Sequence, residues 1–326
     1  MTQKAVPLSK DPTPRDPMPA AEDLVVVPVR HPLRWVAVAV VALLAAMLIH
    51  SLIVNPAWQW SYVQGYFTDH QILSGIVVTL ELTGLAMLIG IVLGVILAVM
   101  RMSPNPVVST TAWAYAWFFR GTPVLVQLLF WYSFAYLFSN LSIGIPFGPT
   151  FHTWDTNSLI TPFVAGVLGL GLNEAAYMSE IARAGLLSVN AGQHEAAAAL
   201  GMGRTLALRR VILPQAMRVI IPPTGNETIS MLKTSSLVIV IGLNDLTGAA
   251  QTIYSQATFL QIPLLVVASI WYLIMTTILS IGQYFLERRF GRGTRRTTQQ
   301  QRPGQRLLAK LRAQRHDDSA QAAAGV

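Results

Sequence analysis

The chain has 326 residues, of which 53% are hydrophobic and 12% charged; a soluble domain carries about a quarter charged residues, so composition alone excludes one. The absence of cysteine excludes disulfides and thiolate metal sites and leaves redox chemistry without its usual residues. A net charge of +8 and a pI of about 10.0 suggest nucleic acid only until the basic residues are located.

Six apolar runs, near 35–54, 72–100, 121–138, 159–182, 229–250 and 263–286, are each close to the roughly 20 helical residues that cross a bilayer. Of the 23 Lys and Arg, five precede the first run and ten follow the last. Two, Arg101 and Arg120, lie between the second and third runs, and six lie at or within 183–233. The connections 55–71, 139–158 and 251–262 have none. The positive-inside rule therefore predicts six spans with both termini and the central connection in the cytoplasm. Topology accounts for every basic residue, and no nucleic-acid partner is expected.

Residues 1–34 are rich in proline and mixed charge and are expected to form a disordered cytoplasmic tail. The run 35–54 is longer than a signal-peptide core and no A-x-A pattern follows, which predicts an uncleaved helix, with its external loop to residue 71. His50 has no His or Cys partner at ligand spacing, so no metal site is expected. Trp58, Trp60, Tyr62, Tyr66 and Phe67 suit the outer interface. Gly75, Gly84, Gly90 and Gly94 in the next span predict close packing against other helices.

The segment 107–119 reads either as an interfacial helix or as an extension of the third span. Thr122 as N-cap and Pro123 at the first helical position predict a helix start there. The loop 139–158 reads equally as a connector or as an outer contact surface, with Phe147, Phe151 and Trp154 at its tip. Span four ends in a polar run, Asn173 to Arg183, in which Glu180 and Arg183 can pair along the helix.

Residues 188–226 are the longest stretch between 72 and 286 that lipid rejects, because Arg204, Arg209, Arg210 and Arg218 lie among its apolar residues. Gly192 is expected to break the descending helix, with a short helix over Gln193–Leu200 and Glu195 in its first turn. Gly201 stands where a left-handed C-cap belongs. A second short helix is expected over Arg204–Leu213, interrupted by Pro214, with Pro222-Pro223 ending the next stretch. Ala196, Ala197, Leu200 and Leu206 are expected to form one apolar face. A carboxylate at mid-membrane costs roughly 2.5 to 3.5 kcal/mol on insertion scales, so Glu81, Glu174 and Asp245, with Asn173, are candidates to line a substrate pathway. Glu174 is the first choice, with interhelical hydrogen bonds the competing role. The basic tail 291–326 is expected to touch membrane lipid, with a short helix around Leu307, Leu308 and Leu311 as one option and disorder as the other.

The set Glu195-Ala196-Ala197, Leu200-Gly201, Val211 and Leu213-Pro214 is similar to the EAA signature of permease subunits in binding-protein-dependent ABC importers. Phe119-Arg120-Gly121-Thr122-Pro123 with Gln127, Tyr177 with Glu180, Gly192-Gln193, Leu213-Pro214-Gln215-Ala216, Leu232-Lys233, Ser236-Leu237 and Leu286-Glu287-Arg288-Arg289 resemble the polar amino acid branch of that family over about 72–290. Thr234 departs from the Asp common there. The resemblance implies an all-α type I importer fold, a five-helix core plus the additional first helix, in the cytoplasmic membrane of a prokaryote. It also implies that Glu195, Ala196, Ala197, Leu200, Gly201, Val211, Leu213 and Pro214 couple the chain to an ATPase. The implied partners are a cytoplasmic ABC ATPase dimer, a second permease (a copy or a related chain), an extracytoplasmic solute-binding protein and a polar amino acid. No GxxxxGK[ST] sequence occurs. The chain is therefore expected to be no enzyme and to hold no cofactor, ATP and Mg being bound by the partner. An ion-coupled secondary transporter or channel is the alternative.

Overall fold

The structure, a computed structural model, describes residues 32–145 and 148–290. Residues 1–31 and the tail from 291, including Leu307, Leu308 and Leu311, for which disorder or a short helix is expected, lie outside the described residues, as do Pro146 and Phe147 of the loop. Contacts divide the chain between Trp58 and Gln59. The smaller unit holds α1 (Pro32–Val54), an uninterrupted apolar helix of 23 residues, and a 3-10 turn at Pro56–Trp58.

The larger unit starts with α2 (Trp60–Tyr66), entered through Gln59 in the left-handed region at φ 46°. Its aromatic residues reach the far end of the chain: Phe67 stacks on Trp271 at 4.8 Å, and Trp271 Nε1 donates to the Phe67 carbonyl at 2.9 Å. Asp69 then caps α3 (His70–Arg101), accepting from Gln71 N at 2.8 Å. At 1.5 Å per residue α3 is about 48 Å long, enough to cross a hydrocarbon core of about 30 Å with length to spare.

The centre of the fold is α3 against α8 (Pro162–Leu187). A Cβ on Gly90 would lie 2.5 Å from Glu174 Cγ, and one on Gly94 2.5 Å from Met178 Cβ, so only glycine permits this approach. Gly75 plays the same part against Asp245 and Leu246, whereas Gly84 meets nothing within 4 Å and faces away from the packing. Leu82, Ala86, Leu128, Leu170 and Met178 fill the core beside this seam.

Between α3 and α8 the chain forms α4 (Pro106–Gly121), capped by Asn105, and α5 (Val124–Tyr132), followed by the short α6 (Phe134–Leu137). Ala112 packs with Leu97 and Ala175, Tyr115 Oη donates to the Leu172 carbonyl at 2.9 Å, and Leu128 lies on Gly169. The contacts move steadily toward the start of α8, so α4 leads into α5 as one broken rise; of the two readings of 107–119, the extension is the one observed. The break corrects the cap: Thr122 closes α4 and donates to the Phe118 carbonyl at 2.9 Å, and α5 begins one residue after Pro123. Thr122 cannot serve as N-cap because Pro123 and not Thr122 directly precedes the helix.

The loop after α6 contains an antiparallel hairpin, β1 (Asn140–Gly144) with β2 (Thr150–Asp155), irregular at Ile143/Gly144. A single turn, α7 (Thr156–Leu159), joins it to α8.

The central stretch departs most from expectation. α8 ends at Leu187 and Asn190 starts α9 (Ala191–Ala199), accepting from Gly192 N at 2.8 Å; Gly192 lies inside that helix and breaks nothing. Glu195 is consequently beyond the first turn. After α10 (Arg204–Ala207) the chain runs through a π-helical turn, Leu208–Ile212, into α11 (Leu213–Thr234), and neither Pro214 nor Pro222-Pro223 stops it. The wide turn precedes Pro214, which then occupies the first turn of α11, where no helical N–H is required. Pro222 and Pro223 leave the carbonyls of Arg218 and Val219 without helical donors, and both of those residues are exposed. The later part of 188–226 is thus a continuous helix packed on α8, with Ala216 buried and Ile220 against Gly185, rather than a stretch ended by its prolines.

The fifth apolar run straddles a break. α11 tightens to a 3-10 turn at Ser235–Ile241, reverses at Gly242 (φ 74°), and resumes as α12 (Leu246–Gln256) at an angle of 44°. α13 (Gln261–Phe290) closes the unit against α2, α11 and α12. Among the described residues α1, α3 and α13 are long and apolar enough to cross a membrane, and the bent pair ending in α12 makes a fourth. α8 has the length, at 26 residues, but carries Glu174, Glu180 and Arg183.

Candidate coupling surface and polar clusters

α9 is a short helix closed at both ends by residues that adjoin it. At its end Gly201 has φ 70°; its N–H donates to the Ala198 carbonyl at 2.9 Å and that of Met202 to Ala197 at 3.0 Å. This pair of bonds is the Schellman closure that the position of Gly201 predicts. Ala197 turns inward at 3% exposure, while Ala196 and Leu200, four residues apart, face outward, with Leu200 at 80%. The expected single apolar face therefore divides: Ala197 holds α9 to the protein, and Ala196, Leu200 and the exposed Leu206 are presented outward beside Glu195. Gln215 Nε2 ties the far helix to α9, donating to Gln193 Oε1 at 3.1 Å and to the Val211 carbonyl at 3.0 Å. Leu213 and Pro214 are exposed where α11 begins and Val211 is half-buried.

The polar residues proposed for the membrane interior do not form one group. Asn173 Nδ2 donates to the Phe119 carbonyl at 2.7 Å and lies 3.3 Å from Gln127 Oε1, holding the α4–α5 break against α8. Gln127 Nε2 also donates to the Phe119 and Thr122 carbonyls, at 3.0 and 3.1 Å. Asp245 is fully buried and occupied: it caps α12 through Gly248 N at 2.9 Å and accepts from Tyr272 Oη at 3.0 Å. It fastens α12 to α13. Glu81 is exposed on α3 and makes no ion pair or hydrogen bond among the described residues. Glu174 is 3% exposed against Gly90, and its Oε1 has no partner. A buried carboxyl oxygen without a donor costs on the order of 1–3 kcal/mol, and among the buried candidates only Glu174 has one.

A second cluster collects on Glu180. Arg183 pairs with its Oε2 at 3.0 Å, as the spacing on α8 predicts. Arg101 from the end of α3 pairs closely with Oε1, and Arg120 from the end of α4 lies 3.3 Å from the same atom. The Arg120 guanidinium also sits 5.5 Å over the Tyr177 ring. Sequence reasoning reached only Arg183, because a helix relates residues three apart while Arg101 and Arg120 are brought in by tertiary packing. The Tyr272–Asp245 and Gln215–Gln193 bonds were missed for the same reason.

Residues 90–292 match the family described as "Binding-protein-dependent transport system inner membrane component". Over 272 residues the chain is 49% identical to the arginine transport system permease protein ArgU of Corynebacterium glutamicum, covering 83% of this chain and 84% of that one. It is 39% identical over 212 residues to the nopaline transport system permease protein NocM of Agrobacterium fabrum, covering 64% and 83%. A solved amino acid ABC transporter with histidines is similar at 40% identity and a TM-score of 0.57, covering 67% of this chain and 94% of that one.

Proposed function

The chain belongs to the inner-membrane components of binding-protein-dependent transport systems, as a permease subunit of an ATP-driven importer of polar amino acids, and from that premise we propose how it is coupled and what it carries. It is a multi-pass membrane protein and not itself catalytic; hydrolysis belongs to a separate subunit. An ion-coupled transporter or channel is not favoured by a family match that spans residues 90–292.

In the proposed assembly α9 seats in a cytoplasmic ABC ATPase that binds ATP and Mg, with Ala196, Leu200 and Glu195 at the contact. The observation that carries this is the closed, outward-facing α9 with Leu200 80% exposed at its end. A helix closed at both ends passes a rigid-body displacement through Gly201 and α10 into α11. A second permease completes the pathway, and a solute-binding protein delivers cargo from outside. The cargo we propose is a cationic amino acid, arginine first. The 49% identity to an arginine permease over most of both chains supports this, as does the unpartnered Glu174 carboxyl.

Uptake of a panel of labelled amino acids into proteoliposomes containing the permease, its ATPase and its binding protein tests the reading. ATP-dependent uptake of arginine is expected, reduced about tenfold by Glu174→Gln with assembly intact, the size of one lost charge-assisted contact. Uptake of no amino acid would overturn the function. Wild-type rates in Glu174→Gln would remove that residue from the pathway.

A further inference from the structure

Beside the Glu180 cluster, α4 and α8 enclose a cleft of about 380 Å³ walled by Trp113, Trp117, Arg120 and Tyr177, with Arg101 and Glu180 at its base. That volume is in the range of small-molecule sites. Both oxygens of Glu180 are taken: Arg183 holds Oε2, and Arg101 and Arg120 share Oε1. Three guanidiniums against one carboxylate leave the group with two surplus positive charges. They are not equally available. The Arg101 side chain is 16% exposed and committed to the closest pair, whereas that of Arg120 is 45% exposed and has the longest pairing distance, 3.3 Å.

The backbone around Arg120 adds little opposing charge beyond Glu180. A helix C-terminus ordinarily presents negative carbonyls. Here the Phe118 carbonyl accepts from Thr122, and the Phe119 carbonyl accepts from Gln127 and from Asn173. Tyr177 holds the guanidinium from its face and Glu180 lies 3.3 Å from Nη1, which leaves the rest of the N–H donors to the cleft. Trp113 and Trp117 stack at 6.2 Å, are 51% and 66% exposed, and supply a flat apolar wall.

The cleft lies along the second half of α8. The Phe119 carbonyl meets Asn173, the twelfth of the 26 residues of α8, so Arg120 is rooted near the middle of that span. Glu180 is seven residues from Leu187, roughly 10 Å in from the end of α8 at 1.5 Å per residue. Arg101, the last residue of α3, lines the same cleft, so the site reaches the end of that helix and a lipid phosphate is the competing oxyanion. The importer reading favours the free carboxylate of a transported amino acid.

We propose that the Arg120 cleft is a subsite for the α-carboxylate of the transported amino acid, with the Trp113–Trp117 wall beside its side chain. This rests on the importer reading above. It predicts recognition of the carboxylate by a residue outside the buried Glu174 site.

The test is equilibrium retention of labelled arginine, and in parallel labelled glutamine, by the purified permease–ATPase complex without binding protein. Competition is with each unlabelled amino acid and with its methyl ester, which lacks the negative charge. In the wild type the free acid should displace label at least about tenfold better than the ester. Arg120→Lys keeps the charge but not the two-pronged donor geometry, and should lose most of the retained label and most of the tenfold discrimination against the ester. Equal retention and equal discrimination in Arg120→Lys would overturn the subsite, as would a wild type that retains neither label. Phosphate analysis of the purified complexes gives a further arm. If Arg120→Lys instead loses co-purified phosphatidylglycerol with amino acid retention unchanged, the cleft holds a headgroup and the proposal fails. In each of these cases ATP-dependent uptake in proteoliposomes continues, which separates failure of the subsite from failure of the importer reading.

Discussion

Gly201 has φ 70° with nothing within 4 Å of where a Cβ would stand, so its requirement for glycine is one of backbone conformation and not of space. A left-handed residue with a branched Cβ costs roughly 1–2 kcal/mol or more, and asparagine is the usual tolerated substitute. Gly201→Val should therefore open the end of α9 and reduce amino acid uptake per ATP hydrolysed about tenfold, with the protein still inserted, while Gly201→Asn retains coupling. Parallel measurements of uptake and phosphate release decide it, and normal coupling in Gly201→Val would sink the assignment of α9. Other residues divide by whether their bonding is complete. Asp245 has a full set of donors and acts as a fastener. Glu174 lacks a partner for Oε1 and Arg120 has donors to spare, and these are the two residues to which the proposals assign a ligand.

The contact of α3 with α8 depends on which glycines face the seam. Gly94→Leu must displace Met178, whose Cβ stands 2.5 Å from the position of the first added atom. Overpacking of this kind costs about 1–3 kcal/mol. Thermal melting in detergent should show a clear fall in Tm for Gly94→Leu and little change for Gly84→Leu, which projects into open space. Equal melting of the two variants would mean that α3 is rotated relative to this description. The π-turn at Leu208–Ile212 is a second device at this scale: it carries the chain past Pro214 and keeps α10 and α11 continuous, so a displacement of α9 has a helical path into the bundle.

Across the whole molecule, the charge pattern predicts that the β1–β2 hairpin and α9 lie on opposite sides of the membrane. The natural absence of cysteine makes this simple to measure. In intact cells a membrane-impermeant thiol reagent should label Ser142→Cys, on β1, and should label Ala198→Cys, on α9, only after permeabilisation. Labelling of both from outside would refute the six-span arrangement with cytoplasmic termini.

Hydropathy, the lysine and arginine asymmetry and the EAA motif were enough to establish a membrane permease, the position of α9 and the left-handed glycine that ends it. Each is local, because lipid solvation acts on continuous runs and helix closure on neighbouring residues. Proline, read locally, misled at Pro214, Pro222 and Pro223, since a π-turn and tertiary packing against α8 keep α11 helical. Hydropathy likewise hid the break at Gly242, where the apolar run continues through residues that leave the helix. Only the folded chain could bring Arg101 and Arg120 to Glu180, or leave Glu174 buried without a partner beside Gly90. Those arrangements depend on how closely α3 and α4 approach α8, and that distance is set by which glycines and alanines meet in the seam.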